Sequence, residues 1–263
     1  MTRVETLTSP ANPLLKEVRR AISRGARTRE GYCVAESFHL LEEALRSDCG
    51  VKTVLAAESV RSAVESHVRR LPGLRVLVLD DRLFETVSGT EATQGVIALV
   101  DPPSWNLEQL FRGRPLVVVI DGIQDPGNAG TIIRAAEAFG ATGIIFLKGA
   151  VNPYNPKAVR ASAGSVFRMP LVSGLDDDLA RAALDQHRLD VYAAMPAGGK
   201  DLASVDLTRK CAFIVGSEGR GVSERIRGGA IDLRIPVIGV ESLNAAMAAS
   251  ILLYEARRQR MHS

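Results

Sequence analysis

Cysteine is scarce in this chain of 263 residues, and the spacings by which cysteine and histidine bind metals are missing. The residues of these two types are Cys33, Cys49, Cys211, His39, His67, His187 and His262. The cysteines are odd in number and form no CxxC pair, and the histidines add no metal-ligand spacing. We therefore expect reduced, packed thiols in a cytoplasmic protein, no disulfide scaffold and no metal site.

Long apolar runs and the common phosphate-binding motifs are also absent. No uninterrupted apolar stretch reaches the ~18–20 residues of a membrane span, and the N-terminus has no apolar signal segment. Neither GxGxxG nor GxxxxGK[ST] occurs, which disfavours an ordinary dinucleotide or P-loop site. The chain is 46% hydrophobic, 24% charged and 5% aromatic. This composition is typical of a globular protein with one large or two modest domains.

The formal net charge is only +3, but basic residues are concentrated near the N-terminus. The first 30 residues hold three acidic side chains and seven basic ones, which are Arg3, Lys16, Arg19, Arg20, Arg24, Arg27 and Arg29. Such a segment can supply phosphate contacts, which give affinity for nucleic acid without reading its sequence. A solvated surface helix explains the same charges, and no interleaved aromatic residues indicate base stacking.

Strand and helix patterns alternate along the chain on both sides of a diproline break at 101–105. Before the break we predict strands at 32–35, 51–56, 75–79 and 95–100, and helices after Ser37, at 59–70 and at 82–87. After it we predict strands at 116–120, 143–147, 191–194, 211–215 and 231–235, and helices at 128–139, 177–187 and 242–260. This alternation predicts a small α/β domain (1–102), a linker (103–114) and an α/β domain with a mainly parallel sheet (115–263).

Three glycine-bearing loops follow predicted strands of the second domain, where α/β sheets bind ligands. They read DGIQDPGNAG (121–130), GSEGRG (216–221) and IPVIGVESLN (235–244). In the helix after the first loop the apolar face consists of Ala129, Ile132, Ile133, Ala136 and Phe139. Arg134 lies nearly opposite that face, so it is either solvated or directed into an anion-binding groove. Asn128 is compatible with a simple N-cap.

Together these segments resemble the SpoU (TrmH) family of RNA ribose 2′-O-methyltransferases. The resemblance covers about residues 115–260 and is carried in order by DGIQDPGNAGTIIRAAEAFGATGIIFL, NPKAVRASAGSVFRMPLV, IVGSEGRGVS and IPVIGVESLNAAMAASILLYEARRQ. NPLLKEVRR and YCVAESFHLLEEAL resemble the RNA-binding domain of the ribosomal-RNA members. The resemblance implies a deep C-terminal trefoil knot, a homodimer, and methyl transfer from S-adenosylmethionine to structured RNA, with ribosomal RNA preferred over transfer RNA.

The same resemblance implies the site residues. The active-site positions are Asn128, Arg134, Glu218, Ser242 and Asn244, and the cofactor-binding positions are Gly216, Glu218, Ile235, Leu243 and Asn244. Arg134 is the family's candidate for activating the hydroxyl. A guanidinium, with a pKa above ~12, is almost never neutral, so clamping the adjacent phosphate and stabilising the developing alkoxide is the easier role. The chain departs from the family at Ala246, where a serine is usual.

Several alternatives remain open at this stage. Ser242 and Asn244 are also compatible with helix capping, and Glu218 with a turn carboxylate or with one that orients Arg134 or Asn128. A stripe in the last helix, predicted as core with part available to a dimer interface, consists of Leu243, Met247, Ile251 and Tyr254. A non-catalytic RNA-binding or assembly protein and a transfer-RNA methyltransferase are the alternative functions. Retention of all five polar active-site residues favours the enzyme.

Overall fold

The computed structural model describes residues 2–47, 49–69 and 71–261, which form two compact units. The first unit runs to Pro103 and also includes the segment Tyr154–Arg168. The second unit comprises Ser104–Pro153 and the chain from Met169 onward. A stretch that the sequence assigned to the second domain therefore packs with the first unit.

The first unit is built on a five-stranded sheet. Its strands are β1 (Arg3–Thr6), β2 (Cys33–Glu36), β3 (Gly50–Ala57), β4 (Arg75–Leu79) and β5 (Val96–Asp101). Its helices up to residue 103 are α1 (Pro13–Arg24), α2 (Phe38–Arg46), α3 (Arg61–Val68) and α4 (Asp81–Glu85). The strand order is β1-β4-β3-β5-β2, and β5 runs antiparallel to both of its neighbours. The small α/β domain predicted from the sequence is present.

Capping residues explain where the first helices begin and end. The Asn12 side chain accepts a hydrogen bond from the Leu14 N–H at 2.9 Å, and Pro13 occupies the first turn of α1. Gly25 ends α1 in the left-handed conformation, with φ of 59°. The Ser37 side chain accepts from the Leu40 N–H, which confirms the predicted cap of α2. Because α1 buries its apolar face, two of its four basic residues are exposed and the other two are half-buried.

The second unit is built on a seven-stranded sheet, which is parallel throughout the described residues. Its strands are β6 (Leu116–Asp121), β7 (Gly143–Leu147), β8 (Leu171–Leu175), β9 (Asp190–Ala194), β10 (Lys200–Asp201), β11 (Cys211–Gly216) and β12 (Ile231–Arg234). The remaining helices of the chain are α5 (Pro126–Ala138), α6 (Pro156–Ala161), α7 (Asp177–Gln186), α8 (Glu224–Arg227) and α9 (Ala245–Arg260). Of these, α6 belongs to the first unit. The mainly parallel α/β sheet predicted from the sequence is confirmed.

The strand order is β10-β12-β9-β11-β6-β7-β8. Because β11 lies beside β6, the loops that follow these two strands leave the same edge of the sheet. The chain moves outward from β6 to β8, crosses to β9, and later inserts β11 between β9 and β6. Gly216 at the end of β11 pairs with Asp121 at the end of β6, so the two following loops start at the same level. Helix α9 packs on α5, which brings the loop before α9 to the same region.

Some predictions about single elements were wrong or incomplete. Strands β1, β8 and β10 and helices α6 and α8 were not predicted, and α1 was foreseen only as a surface helix that could explain the basic N-terminal segment. The predicted core stripe is wrong, since Met247 and Tyr254 are each 56% exposed. The buried face of α9 consists instead of Ala245, Ala246, Ala249, Leu252, Leu253 and Ala256. In the predicted linker, Leu107–Phe111 forms a 3-10 helix whose Leu110 is fully buried. The trefoil knot stays a prediction.

The cysteines of the described chain are not joined in disulfides. Cys33 and Cys211 are buried and Cys49 is half-buried. No group of metal-ligating side chains occurs among residues 2–47, 49–69 and 71–261, while His262 lies outside these ranges. Across the same ranges no helix has the length and apolarity to cross a membrane.

Candidate active site

The loop after β11 folds back on its own strand, and a glycine makes this possible. The Gly221 N–H donates to the Ser217 carbonyl at 2.8 Å, and Gly221 has a positive φ of 67°. A Cβ added to Gly216 would lie 2.1 Å from the Gly221 carbonyl, so no larger residue fits at the strand end. Asp121 fixes the loop from β6, because its carboxylate accepts from the Ser223 N–H at 2.7 Å. Sequence reasoning gave Asp121 no role.

A cavity of about 510 Å³ opens between this loop and the segment that follows β12. Four of the predicted cofactor-binding residues line it, namely Gly216, Glu218, Ile235 and Leu243. Its size falls within the range of small-molecule sites, ~300–1,000 Å³. Apolar residues that sequence reasoning missed complete the wall, and they are Met195, Pro196, Val215, Val222, Leu233 and Val237. Met195 and Pro196 follow β9, so the rule that ligands bind beyond the carboxyl ends of parallel strands would have indicated them.

Three predicted active-site residues meet in one hydrogen-bond network beside the cavity. The Glu218 carboxylate accepts from the side-chain amide of Asn128 at 2.9 Å and from that of Asn244 at 2.6 Å. The Asn244 amide also donates to the Asn128 side-chain oxygen at 3.0 Å. These residues come from α5, from the loop after β11 and from the start of α9. One carboxylate therefore joins three segments that are far apart in the sequence.

The two asparagines differ in their relation to the helices. Asn128 is not a cap, because the N-cap of α5 is Asp125, whose side chain accepts from the Asn128 N–H at 2.7 Å. The Asn244 side-chain oxygen does cap α9, accepting from the N–H groups of Ala246 and Met247. Asn244 therefore has both of the roles that the sequence left open, since its oxygen caps the helix and its amide joins the network.

The structure leaves the two other predicted active-site residues outside this network. Arg134 is exposed on α5, and its side chain forms no hydrogen bond or ion pair with another described residue. It lies six residues beyond Asn128, about 9 Å along the helix axis. Ser242 is exposed and lines the cavity. Both side chains are available to a ligand.

The cavity wall also carries an ion pair that sequence reasoning missed. The Arg227 guanidinium, half-buried on α8, donates to both oxygens of Asp232 on β12, with Nε to Oδ1 at 2.8 Å. These hydrogen bonds lower the pKa of the Asp232 carboxyl below its usual value, while slight burial opposes the shift. The pair presents little net charge to the cavity, whose remaining charged side chains are Glu218, Glu224 and Arg220.

Two family models match the chain, and their boundaries follow the two units except at Tyr154–Arg168, which the match to the second unit includes. Residues 115–254 match the SpoU rRNA Methylase family, and residues 12–98 match the MRM3-like substrate binding domain. The chain is 31% identical to the 23S rRNA (guanosine(2553)-2′-O)-methyltransferase RlmP of Bacillus subtilis, covering 97% of this chain and 100% of the relative. It is 32% identical to the 23S rRNA (uridine(2479)-2′-O)-methyltransferase of Streptomyces viridochromogenes, over 91% of this chain and 87% of the relative.

A solved structure extends the similarity to the fold. The SpoU methyltransferase AviRb from Streptomyces viridochromogenes, in complex with the cofactor AdoMet, superposes with a TM-score of 0.86 at 30% identity. The superposition covers 95% of this chain and 98% of that one. The family model matches more than half of the sequence, and the relatives align over nearly its full length. Both findings assign the chain to the same family. The chain belongs to the SpoU rRNA methylase family.

Proposed function

We propose that this protein transfers a methyl group from S-adenosylmethionine to a ribose 2′-hydroxyl of ribosomal RNA. The observation that carries the proposal is the network of Asn128, Glu218 and Asn244 at the edge of the cavity. A protein that only bound RNA would have no need to keep three polar side chains from separate segments in contact. The similar proteins are named as 23S rRNA 2′-O-methyltransferases, which supports ribosomal RNA as the substrate.

The cavity suits S-adenosylmethionine in size and in chemistry. Its apolar wall, with Val215, Leu233 and Ile235, fits an adenine ring, and the backbone at Gly216 and Leu243 offers hydrogen-bonding groups to its edge. Glu218 and Glu224 place two carboxylates near a cationic sulfonium, against one further cation, Arg220, because the charge of Arg227 is already neutralised by Asp232. S-Adenosylmethionine supplies an electrophilic methyl group. The residues of this chain would hold it in place and align the hydroxyl that attacks.

Each polar residue has a distinct role in this proposal. Arg134, exposed and without a partner in the described chain, would clamp a phosphate beside the target ribose and stabilise the negative charge that develops on the 2′-oxygen. Glu218 holds the Asn128 and Asn244 amides in fixed orientations, and Ser242 offers a hydroxyl at the cavity rim. The proton leaves to phosphate or water, so no side chain has to act as a base. Alignment and charge stabilisation carry the catalysis.

We further propose that the active form is a homodimer joined through the second unit, in the cytoplasm where ribosomal RNA is found. Exposed apolar side chains near the site support the dimer, and these are Ile238, Val240, Met247 and Tyr254. Ile238 and Val240 lie in the loop that lines the cavity, and Met247 lies three residues after Asn244. A second copy packed there would cover the edge of the active site.

The proposal is tested by mapping ribose methylation across total RNA from cells with and without the gene, and by methylating the undermethylated RNA with purified protein. We expect one 23S rRNA ribose to lose its methyl group in the deletion strain and regain it in vitro. The base is left to the experiment, because one similar enzyme is named for guanosine and another for uridine. A missing methyl group in transfer RNA would favour the second candidate substrate, and an unchanged map would contradict RNA methylation.

Calorimetry separates an enzyme from a non-catalytic binder. We expect saturable binding of S-adenosylmethionine at micromolar concentration. No heat of binding at high micromolar cofactor would favour the RNA-binding or assembly protein.

A further inference from the structure

In the first unit, some basic residues of the N-terminal segment are hydrogen-bonded or ion-paired to neighbouring residues, and others have no such partner among the described residues. Glu17 accepts from the Arg20 side chain at 2.7 Å and from the Arg29 N–H at 2.6 Å. Arg19 is bound to the carbonyl and hydroxyl oxygens of Thr86 at 3.0 and 2.7 Å. Arg24 and Arg27, in contrast, are exposed and have no acidic partner among the described residues. Only part of the basic segment is therefore available to an external anion.

The segment Tyr154–Arg168 adds a third unpaired cation beside these two. The end of α1 touches the start of α6, since a Cβ at Gly25 would lie 2.3 Å from the Asn155 side-chain nitrogen. The Arg27 guanidinium lies over the ring of Tyr154, 5.1 Å from its centroid. Lys157, two residues after Asn155, is exposed and has no ion-pair partner in the described chain. Arg24, Arg27 and Lys157 thus surround one junction, although 130 residues separate Arg27 from Lys157.

Two ion pairs hold this segment on the first unit. Arg160 lies 3.6 Å from the carboxylate of Glu36, whose side chain is only 2% exposed. Arg168 donates to Glu43 at 2.6 Å. Helix α6, which carries Arg160, packs along β2. The position of Lys157 next to the end of α1 is therefore built into the fold of the unit.

We propose that Arg24, Arg27 and Lys157 form a contact surface for the phosphodiester backbone of the substrate RNA. The inference rests on the proposed function and names the part of the first unit that holds the RNA. Three unpaired cations around one junction can contact successive phosphates of an RNA backbone. The loop between α1 and β2 contains a single carboxylate, Glu30, that would repel those phosphates. The Tyr154 ring packs under the Arg27 guanidinium and holds it in position. Because Tyr154 is only 6% exposed, it is too buried to stack on a base. The surface therefore gives affinity and position, and the sequence of the RNA is read elsewhere.

The test compares two variants with the same change in net charge. The first is R24Q/R27Q/K157Q, and the control is R69Q/R75Q/R82Q. The control residues are exposed cations on or next to α3, β4 and α4, and β4 is separated from β2 by two strands. Binding of an in vitro transcript of 23S rRNA is measured at several salt concentrations, together with methyl transfer to the same RNA and binding of S-adenosylmethionine.

We expect the first variant to bind the transcript about tenfold or more weakly at ~150 mM salt, with a salt slope lower by ~2–3 than that of wild type. The control variant should keep the wild-type slope, and both should bind S-adenosylmethionine normally. Equal RNA binding by the first variant and the control would overturn the proposed surface, even if methylation is intact. Wild-type protein that shows the expected binding but transfers no methyl group would support the surface and contradict the proposed function.

Discussion

At the level of single residues, Glu218 orients the side-chain amides of two asparagines that come from distant segments of the chain. Its carboxylate is an acceptor only, so it can take hydrogen bonds from both amides, whereas two amides alone would have to present opposite ends to each other. The Asn128 oxygen accepts from Asn244, and the Asn244 oxygen is used by the first turn of α9. This arrangement fixes which end of each amide faces which partner. The relative placement of these three segments thus depends on the position of one side chain.

Substitution of Asn244 separates its capping role from its role in the network. Asn244→Asp keeps an oxygen for the N–H groups of Ala246 and Met247 but places a second carboxylate against Glu218. We expect thermal stability near that of wild type and methyl transfer reduced at least tenfold. Asn244→Ala should lose both roles, with a further cost of about 1 kcal/mol in the free energy of unfolding. Wild-type turnover in Asn244→Asp would show that the network has no part in the reaction.

Substitution of Arg134 tests whether its planar shape matters as well as its charge. Arg134→Lys keeps the positive charge but loses the two parallel donors that fit a phosphate. We expect the rate of methyl transfer at saturating RNA to fall at least tenfold, with binding of S-adenosylmethionine unchanged. Arg257→Lys, at an exposed arginine of α9, serves as the matched control. Near-wild-type turnover by Arg134→Lys would contradict the proposed clamp.

At the level of elements, the apolar pattern of the sequence correctly predicted strands and helices that are long enough to show a period. The apolar run 143–147 is observed as β7, and the face of α5 with Ala129, Ile132 and Ile133 is buried as expected. Strand β10 has two residues and α8 has four, too few to show a period. Gly174 interrupts the apolar pattern of β8. Pro126 is a signal that was not used, because proline favours the first helical position and would have identified Asp125 as the cap.

Tertiary contacts within the site were predicted only in part: an orienting contact of Glu218 with Asn128 or Arg134 was one alternative, and the structure shows the contact with Asn128 and a further one with Asn244. The resemblance supplied Asn128, Glu218 and Asn244 as a set, but no spacing indicates that their side chains bond to one another. In the same way, nothing local indicates that Tyr154–Arg168 packs with the first unit. Such contacts depend on how the chain crosses the sheet, and sequence periodicity carries no information on that path.

The far end of α9 is held by an arginine whose bonds go almost entirely to backbone. The Arg260 guanidinium donates to the carbonyls of Leu207 at 3.0 Å and Pro115 at 3.1 Å, and lies 3.4 Å from the Cys211 sulfur. Burial lowers the pKa of Arg260 below its usual value and raises the pKa of Cys211 to about 11. These bonds join the helix to the starts of β6 and β11, whose other ends carry the site.

Removal of the Arg260 guanidinium should therefore destabilise the second unit. We expect Arg260→Met to lower the free energy of unfolding by roughly 2–4 kcal/mol, because the partly buried carbonyls of Leu207 and Pro115 lose a charged donor. Urea denaturation measures the change. Arg257→Met, one turn earlier on the exposed face, should cost less than ~0.5 kcal/mol. Equal stability of the two variants would show that the carbonyls find other partners.

At the level of the whole molecule, the exposed apolar residues mark the surface where we propose that a second copy packs. Ile238 is fully exposed, and Val240, Met247 and Tyr254 are each 56% exposed, all within the active-site loop and the last helix. Soluble monomers rarely leave such residues grouped in one region. Tyr254 also packs edge-on against Phe139 of α5, with 5.7 Å between ring centroids, so this contact within the chain holds its position. A second copy that buries this region would cover the loop between β12 and α9, which lines the cavity.

Tyr254→Glu should separate the dimer, because burying an unpaired carboxylate in an apolar interface costs several kcal/mol. Light scattering should give about twice 28.2 kDa for wild type and 28.2 kDa for the variant, with methyl transfer lost. Leu179→Glu is a close control, since Leu179 is also 56% exposed but lies on α7. Its mass and activity should match wild type. A wild-type mass of 28.2 kDa at micromolar concentration would contradict the dimer, and a monomeric Tyr254→Glu that still methylates RNA would show that each site is complete within one chain.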